Sequence, residues 1–143
     1  MKRIDIVNEA KSWVGTKWQH QQALKGVACD CAGLVRGVYY EIKHEPVEVM
    51  DYPATWHLFK DEPRMLETCR KYLDEIDITD VREGDVLLFG YRRRFVAHHM
   101  AIVIEGQRMI HADQDAKMVL ISPLDDTWKS RIRHAFRFKD LED

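Results

Sequence analysis

The sequence predicts an α+β protein in which N-terminal helices pack on an antiparallel meander formed by the second half of the chain. Two observations predict it. Up to about residue 74 the apolar residues recur at helical spacing, whereas beyond Glu83 they fall in short runs bounded by turn residues. No repeat, low-complexity tract or linker separates the halves, so residues 1–143 read as one domain, long enough to bury a core.

The elements follow in order. Ile4, Val7, Ala10 (or Lys11) and Val14 are spaced as one helical face over residues 4–14, with Gly15 as its stop. Trp18 to Val27 reads as a loop leading into a second helix that starts at Cys31. There Leu34, Val35, Val38 and Tyr39 make one apolar face. Residues 44–62 mix prolines and aromatics without a period and read as irregular structure over the core. A further amphipathic helix is expected from Pro63, a favourable first-turn residue, to about Asp74.

Glu83-Gly84-Asp85 then reads as a turn and Val86-Leu87-Leu88-Phe89 as a strand. Further strands are expected over 98–104, 108–112 and 118–121, with Glu105-Gly106 turning between the first two. Ala135-Phe136-Arg137-Phe138 alternates as a last strand.

Composition excludes several classes. The formal net charge of -2 offers no pull toward nucleic acid or an anionic membrane, and no apolar run reaches spanning length, so neither nucleic-acid binding nor membrane insertion is expected. The opening Met-Lys-Arg-Ile-Asp-Ile-Val-Asn lacks the apolar core of a signal peptide, which predicts synthesis in the cytoplasm and another route to any later location. Three cysteines suit no disulfide framework, and Cys29 and Cys31 are too close to staple anything.

The chemistry concentrates in Ala28-Cys29-Asp30-Cys31-Ala32-Gly33. It places a thiol, Cys31, in the first turn of a helix that Asp30 caps, while Gly33 permits close packing. The partial positive charge of a helix N-terminus favours thiolate over thiol, so this reading predicts a Cys31 that alkylates well below the pH of an ordinary thiol. Histidines follow in Ala97-His98-His99-Met100 and Ile110-His111-Ala112. Strand alternation puts His98 with Met100, Ile102 and Ile104, and His99 with Ala101 and Val103. The small-residue face is the one a helix or substrate can approach, which favours His99 as general base. The turn at 105–107 makes the two strands neighbours, so His111 is the candidate to fix the His99 tautomer.

Asp30-Cys31-Ala32-Gly33-Leu34, Glu83-Gly84-Asp85-Val86-Leu87-Leu88-Phe89, His99-Met100-Ala101-Ile102 and Ile110-His111-Ala112 together resemble the NlpC/P60 cysteine peptidases in order and spacing. Ala10-Lys11-Ser12-Trp13-Val14-Gly15-Thr16 is similar to that family's first helix and its exit. Trp128 through Phe138 most resembles the phage-tail and gene-transfer-agent members, and residues 44–80 carry the least of the likeness. The resemblance implies a papain-like fold that cleaves peptidoglycan stem peptides, typically between D-γ-glutamyl and a diamino acid. It implies Cys31 as nucleophile, His99 as base and His111 as the orienting third residue, with no cofactor and no metal. It also implies phage-tail or gene-transfer-agent proteins as partners, and a place on the virion or tail.

Ala32 and Ala101 stand where the family usually has serine and glycine, and Trp18 where many members have a tyrosine whose hydroxyl reaches the site. An indole N–H can donate to an oxyanion but cannot do all that a phenol does, which leaves the backbone N–H of Cys31 as the expected oxyanion donor. Trp18, His20 and Asp30 are the candidate substrate or oxyanion contacts.

Blander or rival readings attach to the same residues. Cys29 reads as a packed residue near enough to modulate Cys31, His98 as a neighbour rather than a catalyst, and Arg92-Arg93-Arg94 as a solvated hairpin tip. Asp113 and Asp115 read as turn residues. A metal site on Cys29, Cys31 and histidines is disfavoured because Cys-x-Cys lacks the two-residue gap that lets both thiolates reach one zinc. A thiol acyltransferase or amidase on the same fold, and a catalytically vestigial tail protein, stand as alternative functions.

Overall fold

The computed structural model describes residues 1–48, 64–90 and 98–142. Its helices are α1 (Arg3–Lys11), α2 (Cys31–Lys43), α3 (Arg64–Tyr72) and α4 (Asp126–Ser130). Its strands are β1 (Lys17–Trp18), β2 (Ala23–Leu24), β3 (Ala28–Cys29), β4 (Asp74–Ile76), β5 (Val86–Phe89), β6 (His99–Ile104), β7 (Arg108–Asp113), β8 (Met118–Pro123) and β9 (Ile132–Arg137). The start of the helix expected at Pro63, most of the irregular stretch at 44–62 and the Arg92-Arg93-Arg94 run lie outside the described residues.

One sheet runs in the order β2-β3-β1-β8-β7-β6-β5-β9-β4. Its centre, β5 to β8, is the expected antiparallel meander. β9 returns beside β5, and the β1–β3 pair is parallel, which the sequence reading did not anticipate. β6 is buried along nearly its whole length, and each face belongs to a different cluster. Met100, Ile102 and Ile104 pack with Ile6, Val7, Leu34, Val35 and Val38 of α1 and α2. Ala101 and Val103 pack with Leu87, Phe89, Met109, Leu124 and Ala135, under the edge of Trp128. The fold is therefore α+β, with α1 and α2 on the face of the large side chains.

Two expectations change here. The stretch Trp18 to Val27, expected as a loop, also carries the end of β1 and the whole of β2, and β3 follows it directly. Strands this short carry no alternation to read, because their pairing comes from neighbours distant in sequence. The buried face of α1 is Arg3, Ile6, Val7 and Ala10, with Trp13 beyond its end, whereas Ile4 and Val14 are exposed. The reason is an ion pair. Arg3 reaches Asp85 at 3.0 Å, and Arg137 grips the same carboxylate through two nitrogens at 3.0 and 2.9 Å. Asp85 is wholly buried, so α1 turns a charged residue inward to partner it. No helix among the described residues is long and apolar enough to cross a membrane.

Candidate active site

The site begins at the N-terminus of α2. Asp30 caps it: Oδ1 accepts the Gly33 N–H at 2.7 Å, and Oδ2 accepts the Gln21 N–H at the same distance. One buried carboxylate thus ties both the helix start and the 19–22 loop in place. Gly33 lets the two segments meet, since a Cβ there would lie 1.8 Å from the Gln22 carbonyl oxygen. Cys31 follows as the first helical residue.

Cys31 is half-buried, while Cys29 and Cys69 are buried. The Cys31 Sγ lies 3.9 Å from the His98 carbonyl oxygen and also receives the backbone N–H groups of Met100 and Ala32. The thiol is therefore seated against the backbone that flanks His99, at the start of β6.

From His99 a chain of polar contacts crosses the sheet. His99 Nε2 and His111 Nδ1 are 2.9 Å apart, and His111 Nε2 and Ser122 Oγ are 2.8 Å apart. Rings enclose the pair. Trp128 lies over His99 with centroids 5.7 Å apart and meets His111 edge-on at 5.2 Å, and Phe89 stands 6.0 Å from His99. Nε2 is committed to His111, so the other nitrogen, Nδ1, is the one available to a thiol.

Strand parity puts His99 where the sequence placed it, with Ala101 and Val103, but for a different reason. α1 and α2 pack on the opposite, large-residue face, while Trp128 of α4 covers the small-residue face. Cys31 and His99 each begin their element, and the Cys31 sulfur lies against the backbone beside His99, 3.9 Å from the His98 carbonyl oxygen.

The electrostatics run against the expected thiolate. Burial, reinforced by the Asp30 carboxylate, pushes the Cys31 thiol up to about 12, against the helix-start effect that favours thiolate. Burial, with His111 and His98 beside it, pulls the His99 imidazole down to about 3, and burial lowers His111 as well. Both shifts favour the neutral form of their group.

The neutral His99 has a consequence for stability. The unfolded chain takes a proton on this imidazole near pH 6.5 and the folded chain does not, so unfolding binds a proton below that pH. The contribution is intact above pH 6.5 and is lost as pH falls toward 3, by about 1.4 kcal/mol per pH unit. Urea unfolding at pH 7 and pH 5 is expected to differ by about 2 kcal/mol on this account. His99→Gln, which cannot charge, removes that part of the slope. An unchanged slope in the variant would mean that His99 is not held neutral.

The other candidates stand nearby in different ways. Trp18 is half-buried on β1, in parallel register with Cys29, and packs on the main core. His20 is half-buried on the loop that Asp30 anchors. Both oxygens of Asp30 serve backbone N–H groups, so its visible work is to position. Sequence reasoning missed Ser122 as a partner and Trp128 as a cover. Trp128 had a signal: Asp125 accepts its backbone N–H at 3.0 Å, the cap of a short helix. Ser122 had none short of the β7–β8 register.

A model of the NlpC/P60 family matches residues 12–137. The chain is 22% identical over 138 residues to the gamma-DL-glutamyl hydrolase of Bacillus subtilis (strain 168). That match covers 96% of this chain and 30% of the relative, so the chain spans less than a third of that curated protein. Among solved structures it resembles the NlpC/p60 domain of the peptidoglycan hydrolase SagA, with a TM-score of 0.67 at 20% identity, covering 96% of this chain and 100% of that one. An NlpC/P60 family protein from Bacillus cereus ATCC 10987 superposes with a TM-score of 0.69 at 19% identity, over 96% of this chain and 40% of that one.

Proposed function

Since this chain belongs to the NlpC/P60 family, we propose that it is a cysteine peptidase that hydrolyses the peptide stems of bacterial peptidoglycan. The bond is that between D-γ-glutamyl and the diamino acid, and the reacting groups are Cys31, His99 and His111. The seat of the Cys31 thiol against the backbone flanking His99 carries the reading. The substrate class rests on the relatives, one named as a gamma-DL-glutamyl hydrolase and another as a peptidoglycan hydrolase. The likeness of Trp128 through Phe138 to phage-tail and gene-transfer-agent members supports action from such a particle.

The chemistry starts from two neutral groups. As the Cys31 sulfur bonds to the scissile carbonyl carbon, its proton passes to His99 Nδ1. The backbone N–H of Cys31, a first-turn donor without an acceptor inside its helix, faces the oxygen that gains charge. His99 returns the proton to the departing amine, leaving a thioester. Water then attacks the thioester, giving one proton to His99, which passes it to the departing thiolate. The γ-glutamyl acid is released and loses its remaining proton to solvent as it becomes the carboxylate. No step needs a metal or redox partner.

Digestion of purified sacculi, followed by mass spectrometry of the released peptides, tests the proposal. Fragments with a new diamino-acid N-terminus are the expected products, leaving L-Ala-D-Glu on the glycan. Release of other termini would overturn the bond assignment, and intact sacculi together with an intact synthetic L-Ala-γ-D-Glu-diaminopimelate peptide would overturn the enzyme.

A further inference from the structure

Ser122 belongs to no motif, yet it closes the chain that begins at His99. It pairs with Met109 across the β7–β8 ladder, and His111 pairs with Leu120. Cross-strand partners share a face, as do residues two apart along a strand, so Ser122 and His111 project to the same side as diagonal neighbours. That geometry sets the Ser122 hydroxyl 2.8 Å from His111 Nε2. Three side chains on three adjacent strands are thus joined from Oγ to the base.

Resting on the reading of His99 as the base, we propose that Ser122 is a positioning residue that sets the proton arrangement of His111 and, through it, of His99. A neutral imidazole has one N–H and one lone pair. When the Ser122 oxygen accepts the His111 Nε2–H, His111 Nδ1 can only accept. His99 Nε2 must then carry its proton, which leaves Nδ1 bare for the thiol. The arrangement also suits the protonated stage. With His99 an imidazolium, its Nε2–H donates to His111 Nδ1, His111 donates to Ser122, and no ring has to turn over.

Without the hydroxyl, His111 is free to carry its proton on Nδ1 and donate it to His99 Nε2. His99 then holds its own proton on Nδ1, where it cannot take up another. Trp128 packs against both rings, and Ser122 itself is half-buried. The proton inventory of the reaction is unchanged by Ser122. Only the direction of two hydrogen bonds depends on it.

The test has a spectroscopic arm and a kinetic arm. Long-range ¹H–¹⁵N correlation of the substrate-free protein should find His111 protonated on Nε2 and His99 on Nε2. In Ser122→Ala, His111 should shift toward the Nδ1–H form, whereas Ser122→Thr should keep the original pattern. On the L-Ala-γ-D-Glu-diaminopimelate peptide, Ser122→Ala should lower kcat by about tenfold, the scale of one lost hydrogen bond to a charged relay, with KM little changed. Ser122→Thr should recover most of it. A wild-type His111 protonated on Nδ1, or a Ser122→Ala protein with unaltered tautomers, would overturn the role of Ser122. The first arm needs no turnover, so an inactive wild type would count against the peptidase reading while leaving this result to stand or fall by itself.

Discussion

Cys31→Ala is expected to reduce stem-peptide hydrolysis by at least about 10⁴-fold, because it removes the atom that bonds to the substrate. The fold should survive, since Cys31 is only half-buried and its backbone, rather than its sulfur, begins α2. Cys29→Ala and Cys69→Ala should behave in the opposite way. Both side chains sit in the main core, so each truncation should cost about 1–2 kcal/mol in urea unfolding and spare most of the activity. Iodoacetamide labelling separates the thiol's resting state from its role. With burial holding the thiol up to about 12, the alkylation rate of the free protein should keep rising past pH 9. A plateau at low pH would instead reveal a preformed thiolate–imidazolium pair. Full hydrolysis by Cys31→Ala would remove the nucleophile from this account altogether.

What the sequence made legible was whatever local periodicity encodes. β5 to β7 were readable because they are buried apolar runs, with β6 and β7 joined at Glu105-Gly106, where Gly106 takes a positive φ. The start of α2 was readable because Asp30 is a capping residue followed three positions later by the N–H it accepts. The site residues of the central strands followed from parity alone, which assigns a face without knowing what covers it. That limit is why parity could not say which helix covers which face. His99 was put on the right face, but the large side chains of the other face were the ones that received α1 and α2.

The illegible parts depend on partners far away in the chain. The buried face of α1 turned on Arg3, whose reason for burial, Asp85, lies 82 positions on. The three short strands of residues 17–29 exist only through pairing with one another and with β8. Ser122 and Trp128 reach the histidines through a diagonal register and a one-turn helix, neither of which a linear pattern displays. The electrostatic setting of the Cys31 thiol was hard to read for a related reason. A helix N-terminus can be seen in sequence, whereas what surrounds its thiol cannot, and here burial and the Asp30 carboxylate push that thiol up.

His99 and His98 are adjacent in sequence, and replacing each by alanine should separate them sharply. A positioned general base contributes about 10²–10⁴-fold, so His99→Ala should lose at least that much in kcat. It removes the proton acceptor and also leaves His111 Nδ1 without its partner at 2.9 Å. His98 contributes to the thiol's seat through its carbonyl oxygen, which alanine retains. Its side chain acts on His99 only as a nearby titratable group that helps to hold the imidazole down. His98→Ala should therefore stay within about tenfold of the parent. Relieving that influence should ease protonation of His99, so any change ought to appear at the acid end of the pH profile rather than at neutrality. Steady-state assays of both variants across pH 4 to 9 on the synthetic tripeptide would measure this. A His98→Ala enzyme more damaged than His99→Ala would show that the thiol is served from the other face of β6, and the chain from His99 through His111 to Ser122 would then be a structural feature with no part in proton transfer.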